Sequence, residues 1–386
     1  MNNFTYKIPT EIYFGKDRIE ELPALLSRYG SRVLIVYGGG SIKHTGLYDK
    51  IMGLLKDFDI TELAGISPNP KITSVRKGVS LCRENEIDVI LAVGGGSCID
   101  ASKNIACGTF YDGDPWDLVI DGSKIKKALP IAVVLTINAT GSEMNNNAII
   151  TNEETHEKLG IANDLVYPAI SICDPQYLYT LPARQTASGT ADTMSHVFEQ
   201  YFQPGDGAYM TDRFCESVLK TCIRYCPEAL DHPDSYEARS NLMWASTVAL
   251  NHLLTFGKGG SWSCHPMEHE LSAFYDITHG VGLAILTPAR MRYVLSEKTA
   301  ARFAMYAENV WGITGTDPII AGKKAIERTS AFFVSIGLPT SLHEVGIGTE
   351  HFEEMASEAV RTSGISTGSY VHLGKEDIVK IFEACM

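Results

Sequence analysis

Short apolar runs alternate with helical segments through the first 181 residues, and from Pro182 onward the chain reads as helices alone. Two of the apolar runs end in a Gly-Gly-Gly-Ser turn, Gly38 to Ser41 and Gly94 to Ser97. Strands that alternate with helices form a parallel sheet with right-handed crossovers. Together these features predict an α/β N-terminal domain of the parallel-sheet, dinucleotide-binding kind over residues 1–181. An all-α C-terminal domain is predicted over residues 182–386.

The elements follow in order. Residues 4–14 read as extended and 17–29 as helix. Val33 to Tyr37 is apolar on both faces, as a strand covered on both sides must be. Helix is expected near 46–56, strand over 58–63, helix over 72–85 and strand over 89–93. Helix 99–107, strand 131–136 and strand-like segments at 148–150 and 165–173 complete the half. In the second half, helical periodicity covers 186–201, 212–225, 236–254, 265–274, 280–295, 299–311, 319–336, 349–357 and 376–384, with Pro227 among the breakers.

In open parallel sheets, ligands bind beyond the strand C-termini. Glycine lets backbone N–H groups approach a phosphate, and the following helix start favours negative charge. Neither turn fits Gly-x-Gly-x-x-Gly or the P-loop. A tight strand-to-helix turn explains one triplet as well as a nucleotide does; two in one sheet favour the nucleotide. Residues 37–47 contain no Asp or Glu to take a ribose 2′-OH, but do contain Ser41, Lys43 and His44, which can donate to a 2′-phosphate. That favours NADP(H) over NAD(H).

Net charge is −13, which argues against nucleic acid or an anionic membrane as partner. The N-terminus lacks the apolar core of a signal peptide, and no run of about 18 apolar residues appears. The nine cysteines include no Cys-x-x-Cys pair. They read as thiols in a reducing cytoplasm.

The chemistry concentrates between Trp262 and Gly280, which holds three of the chain's 11 histidines, His265, His269 and His279. Asp192 and His196, four apart in a helical run, share one helix face. One unbroken helix would set His265 and His279 about 21 Å apart. Donors of a single ion lie only about 3–4 Å apart. A break at 275–278, with Thr278 as N-cap of a second helix, resolves this. An antiparallel pair of helices then brings Asp192, His196, His265 and His279 to one divalent metal. His269, one turn from His265, is expected to act beside the metal as relay or support. Such a site next to a nucleotide domain suits hydride transfer to or from a metal-polarised oxygen. Two rivals remain. Residues 265–269 fit His-x-x-Glu-His, with Glu268 as the base of a zinc metallopeptidase. The other is a sugar-phosphate lyase or synthase that uses NAD and a metal.

The residues also resemble a known family. Tyr37-Gly-Gly-Gly-Ser-Ile-Lys43, Ser67-Pro-Asn-Pro70, Ala92-Val-Gly-Gly-Gly-Ser97, Thr140-Gly-Ser-Glu143, Tyr179-Thr-Leu-Pro182, Asp192 to Tyr201 and His265 to His279 carry the likeness. Over nearly its whole length the chain resembles the iron-containing (group III) alcohol dehydrogenases, in the branch of NADPH-dependent butanol dehydrogenases and aldehyde reductases. The resemblance implies ligation by Asp192, His196, His265 and His279, with His269 near the nicotinamide. It implies cofactor contacts at Gly38, Gly39, Ser41, Asn69, Pro70, Gly95, Gly96, Ser97, Asp100, Thr136, Asn138, Ser142, Lys158 and Leu181. Position 138 departs from close relatives, which have proline there. The implied metal is Fe²⁺, with Zn²⁺ the alternative. The implied assembly is a homodimer, and the implied substrate a small alcohol or aldehyde.

Overall fold

The computed structural model describes every residue except His156, Gly205 and Asp206. Eight strands are present among them: β1 Glu11–Phe14, β2 Arg32–Tyr37, β3 Asp59–Leu63, β4 Val89–Gly94, β5 Ile131–Leu135, β6 Asn147–Asn152, β7 Glu157–Ala162 and β8 Ile170–Cys173. Six of these make one parallel sheet in the order β1-β8-β5-β4-β2-β3. On β2, Val33, Ile35 and Tyr37 enter one buried cluster, while Leu34 and Val36 enter another. Both faces are therefore covered, and the unbroken apolar run follows from that.

The chain passes from β2 to β3 on one side and then returns to lay β4 on the other side of β2, in register Val33↔Val89 to Tyr37↔Val93. The order of strands reverses between β2 and β4, and a crevice at the carboxyl ends of such a pair is where open α/β sheets bind ligands. Both glycine turns lie there.

Several elements differ from expectation. β7 pairs antiparallel with β6 to form a separate hairpin; its polar sequence with Gly160 gives no strand signal. Within the extended segment expected at 4–14, the strand that pairs in the sheet is Glu11–Phe14. Helix Tyr209–Asp231 runs straight through Pro227 instead of ending before it.

The chain packs as two units. One comprises Lys7–Leu181 with Pro233–Thr247; the other comprises Met1–Tyr6, Pro182–His232 and Val248–Met386. This differs from a single cut after Leu181 in residues 1–6 and 233–247. The reason for the second stretch is packing. Met243 enters the core of the sheet unit, Trp244 meets Phe14 edge-on at 5.9 Å, and the Thr247 hydroxyl donates to the buried Glu143 carboxylate. In the helical unit, helix Ala183–Tyr201 is buried at every position from Thr186 onward. Among the described residues no helix is long and apolar enough to cross a membrane. All nine cysteines are buried thiols.

Candidate metal and nucleotide sites

Helix Cys264–Tyr275 stops at Asp276, which adopts a left-handed conformation (φ 50°). Helix His279–Val294 then starts with Thr278 at its N-cap position, although the Thr278 side chain makes no cap bond. The turn brings His279 back beside His265, with ring centres 5.4 Å apart. Around the Asp192 Oδ1 atom lie His196 Nε2 at 3.5 Å, His279 Nε2 at 3.7 Å and His265 Nε2 at 3.8 Å. Donor atoms of Asp192, His265 and His279 all lie within 4.8 Å of one another. His196 meets Asp192 and stacks on His265 at 4.7 Å, but stands outside that mutual set.

Four donors about 2.1 Å from one ion sit about 3.4 Å apart in a tetrahedron. The separations here are close to that. Asp192 Oδ1 and His265 Nε2 are buried with no hydrogen-bond partner among the described residues. Orphaned buried polar atoms are costly, and two of them facing each other fit a cation held between. Burial opposes ionisation of Asp192, yet the neighbouring imidazoles hold its carboxyl well below the ordinary range. Burial pushes His196 down to about 3. It also works against the His265 cation, but the Asp192 and Glu199 carboxylates outweigh it and hold His265 up to about 9.

Two further carboxylates, Glu199 and Glu268, complete this site. Glu199 accepts the backbone N–H groups of Ser263, Cys264 and His265 and lies 3.3 Å from His265 Nδ1. It thus caps the 264–275 helix and aims the His265 ring. Its position seven residues after Asp192, on the same helix face, was the available signal. Glu268 contacts His279 Nδ1 and accepts a hydrogen bond from Ser272 at 2.6 Å, fully buried. A base committed in this way is not placed as the peptidase motif requires. Carboxylates behind imidazole ligands fix tautomer and orientation. Glu199→Gln is expected to weaken metal binding about 10–100-fold, read by competition with a chelator. Unchanged affinity would leave Glu199 as a helix cap only. His269 lies beside this set, its ring 5.7 Å from His279, and joins Glu268 and His279 in a second close group.

The residues assigned to a cofactor all fall in the sheet unit. Gly38, Gly39 and Ser41 follow β2, and Gly95, Gly96 and Ser97 follow β4. Asn69, with φ 51°, and Pro70 lie after β3, where Pro70 O accepts Thr151 N–H at 2.9 Å. Thr136 N–H donates to Gly94 O at 3.0 Å. Asn138 is buried and its Oδ1 has no partner among the described residues. Lys158 sits on β7, paired with Thr151, and Leu181 is half-buried after β8. Asp100 and Ser142 turn inward: Ser142 Oγ donates to Asp100 Oδ1 at 2.6 Å. A Cβ on Gly96 would lie 2.5 Å from the Thr140 side chain, so this turn is glycine for packing reasons too.

One acidic residue near the first turn escapes a reading confined to residues 37–47. Glu62, on β3, accepts the Tyr37 hydroxyl at 2.7 Å and the Tyr48 hydroxyl at 2.8 Å. It follows the first glycine turn by about 20 residues, the usual spacing of a ribose-binding acid. Lys43 Nζ lies 4.4 Å from the Tyr48 ring centre.

Comparison with known proteins agrees with this architecture. The sequence profile of "Iron-containing alcohol dehydrogenase" matches residues 9–175, and that of "Fe-containing alcohol dehydrogenase family, C-terminal" matches 186–386. The chain is 54% identical to NADH-dependent butanol dehydrogenase A of Clostridium acetobutylicum over 99% of each chain. It is 41% identical to an NADPH-dependent aldehyde reductase of Escherichia coli over 90% of each. The crystal structure of NADH-dependent butanol dehydrogenase A from Thermotoga maritima superposes with a TM-score of 0.95 at 39% identity, covering 100% of this chain and 99% of that one. With both halves matched and these identities spanning its length, the chain belongs to the iron-containing alcohol dehydrogenase family.

Proposed function

We propose that the protein interconverts a small primary alcohol and its aldehyde, of the butanol and butanal type, with a nicotinamide dinucleotide as hydride carrier. The observation that carries this reading is the convergence of three imidazole nitrogens on Asp192 Oδ1 at 3.5 to 3.8 Å. Asp192, His196, His265 and His279 would hold the metal, Fe²⁺ by family and Zn²⁺ as the alternative. When bound, it supplies Lewis-acid polarisation of the substrate oxygen. The chain's own groups do the rest. Glu199 and Glu268 hold the His265 and His279 rings in place. Burial of Asp192, His196 and His265 keeps water from these groups and strengthens their electrostatics. His269, half-buried beside His279, can hold the proton that the oxygen gains or loses as hydride moves. The peptidase and lyase alternatives draw no support from the relatives, which are dehydrogenases and reductases.

Cofactor choice has one reading with a specific rival. Ser41, Lys43 and His44 support NADP(H); Glu62, beside the same turn, supports NAD(H), as do the relatives named NADH-dependent. The ratio of kcat/KM for NADPH to that for NADH with butanal decides, and we expect it to exceed one. A ratio below one would assign the turn to the ribose hydroxyl read by Glu62. Butanal reduction by neither cofactor in metal-replete protein would overturn the function itself. We place the enzyme in the cytoplasm, which suits nine buried thiols, without nucleic-acid or membrane partners. It is expected to be a homodimer, β1 being an edge strand of the sheet among the described residues.

A further inference from the structure

Lys103 is a fully buried cation of the sheet unit that no step above uses. It lies on helix Gly96–Gly108, two turns beyond the second glycine turn, at 0% exposure. A lysine is almost never fully buried unless its cation is matched. Here it is matched completely. Lys103 Nζ donates to Asn147 O at 2.7 Å, Ser142 Oγ at 2.8 Å, Asn145 O at 2.9 Å and Asn145 Oδ1 at 3.0 Å.

All four acceptors belong to one stretch of chain, residues 142–147, which follows β5. The bonds continue outward from there. Asn145 Nδ2 donates to Gly141 O at 2.9 Å, and Ser142 N–H to Thr140 Oγ1 at 3.2 Å. Ser142 Oγ–H in turn donates a hydrogen bond to Asp100 Oδ1, while Asp100 Oδ2 accepts Ile149 N–H at 3.0 Å. Thr140 in turn packs where a Cβ on Gly96 would be, and Ile137 does the same at Gly95. The loop after β5 is therefore strung on one ammonium, and it forms the wall of the glycine turn after β4. The same loop carries Asn138, whose buried Oδ1 awaits a donor.

Charge accounting points the same way. Asp100 and Glu143 are buried acids flanking Lys103. Burial lowers the Lys103 ammonium to about 8, and those two carboxylates hold it up. Without the cation, the buried acids Asp100 and Glu143 would lose the charge between them, and Asn145 O, Asn145 Oδ1 and Asn147 O would each lose a donated hydrogen bond. Residues 140–147 would have to move toward water to satisfy them.

We propose that Lys103 is a positioning residue of the nucleotide site: it fixes the loop after β5 against the second glycine turn and so presets the surface that receives the dinucleotide. This rests on the reading of the sheet unit as the cofactor domain. Lys103 does not touch the reacting atoms, so its loss acts on binding and not on hydride transfer.

The test is Lys103→Met, which keeps the chain volume and removes the donors, in the metal-replete enzyme with butanal. KM for NADPH and for NADH should rise about tenfold or more, with kcat at saturating cofactor and the metal content nearly unchanged. A purely architectural role would lower the active fraction, and with it apparent kcat, at constant KM. Should Lys103→Met not fold, Asn145→Ala answers the same question: it keeps the cation and removes one acceptor, and should raise cofactor KM less but in the same direction. Unchanged cofactor KM in a folded Lys103→Met, or in Asn145→Ala if the former is insoluble, overturns the proposal. Wild-type protein that binds neither dinucleotide overturns the functional reading instead, so the two failures are distinguishable.

Discussion

A His265→Ala protein is expected to purify without metal and to lose at least about a thousandfold in turnover, which is roughly 4 kcal/mol of barrier. The substitution deletes the nitrogen that faces Asp192 Oδ1 at 3.8 Å, and with it a donor from the centre of the set. Lewis-acid polarisation is worth several kcal/mol on its own. The fold should survive. Glu199 would lose the imidazole but keep the backbone N–H groups of residues 263–265, so the helix stays capped. Elemental analysis, butanal reduction and circular dichroism on one sample check this. Full activity in metal-free His265→Ala protein would end the metal account.

Gly280→Ala should do comparable damage without touching a donor. A Cβ at Gly280 would lie 2.0 Å from Ser188 O and 2.6 Å from Ser188 C. These are backbone atoms of the 183–201 helix and cannot swing aside as a side chain would. The two helices must part at that point, one residue from His279 and one turn from Asp192. Overpacking of this kind costs about 1–3 kcal/mol or more, and displacement by about 1 Å at a catalytic constellation costs about a hundredfold in rate. Calorimetry should show a lower Tm, and chelator competition a weaker metal. Wild-type metal affinity in Gly280→Ala would mean that this contact does not hold the ligands together.

How much was legible follows from what each residue has to satisfy. β2, β4 and β5 are apolar on both faces because both faces are covered, and such runs can be read directly. β7 is polar, belongs to a two-stranded hairpin and carries glycine, so no periodicity marks it. The bend at 275–278 was legible because metal geometry forbids a straight helix through His265 and His279. Glu199 and Glu268 were not, since acids on helix surfaces are common and only tertiary packing turns these two inward. Glu62 was hidden for another reason: parallel pairing sets β3 beside β2, so an acid distant along the chain arrives next to Tyr37. The passage of the 209–231 helix through Pro227 shows burial overriding a local breaker.

The helix at 236–249 has a practical consequence. Its first twelve residues, with Pro233 to Ser235 before them, serve the sheet unit, while the chain up to His232 and from Val248 serves the other. A fragment expressed to end at Leu181 would lack Met243 in its core, leave Phe14 without Trp244, and strand the Glu143 carboxylate without Thr247. The two halves are thus interleaved, and separately produced pieces should regain solubility only when co-expressed with a break point elsewhere than residue 181.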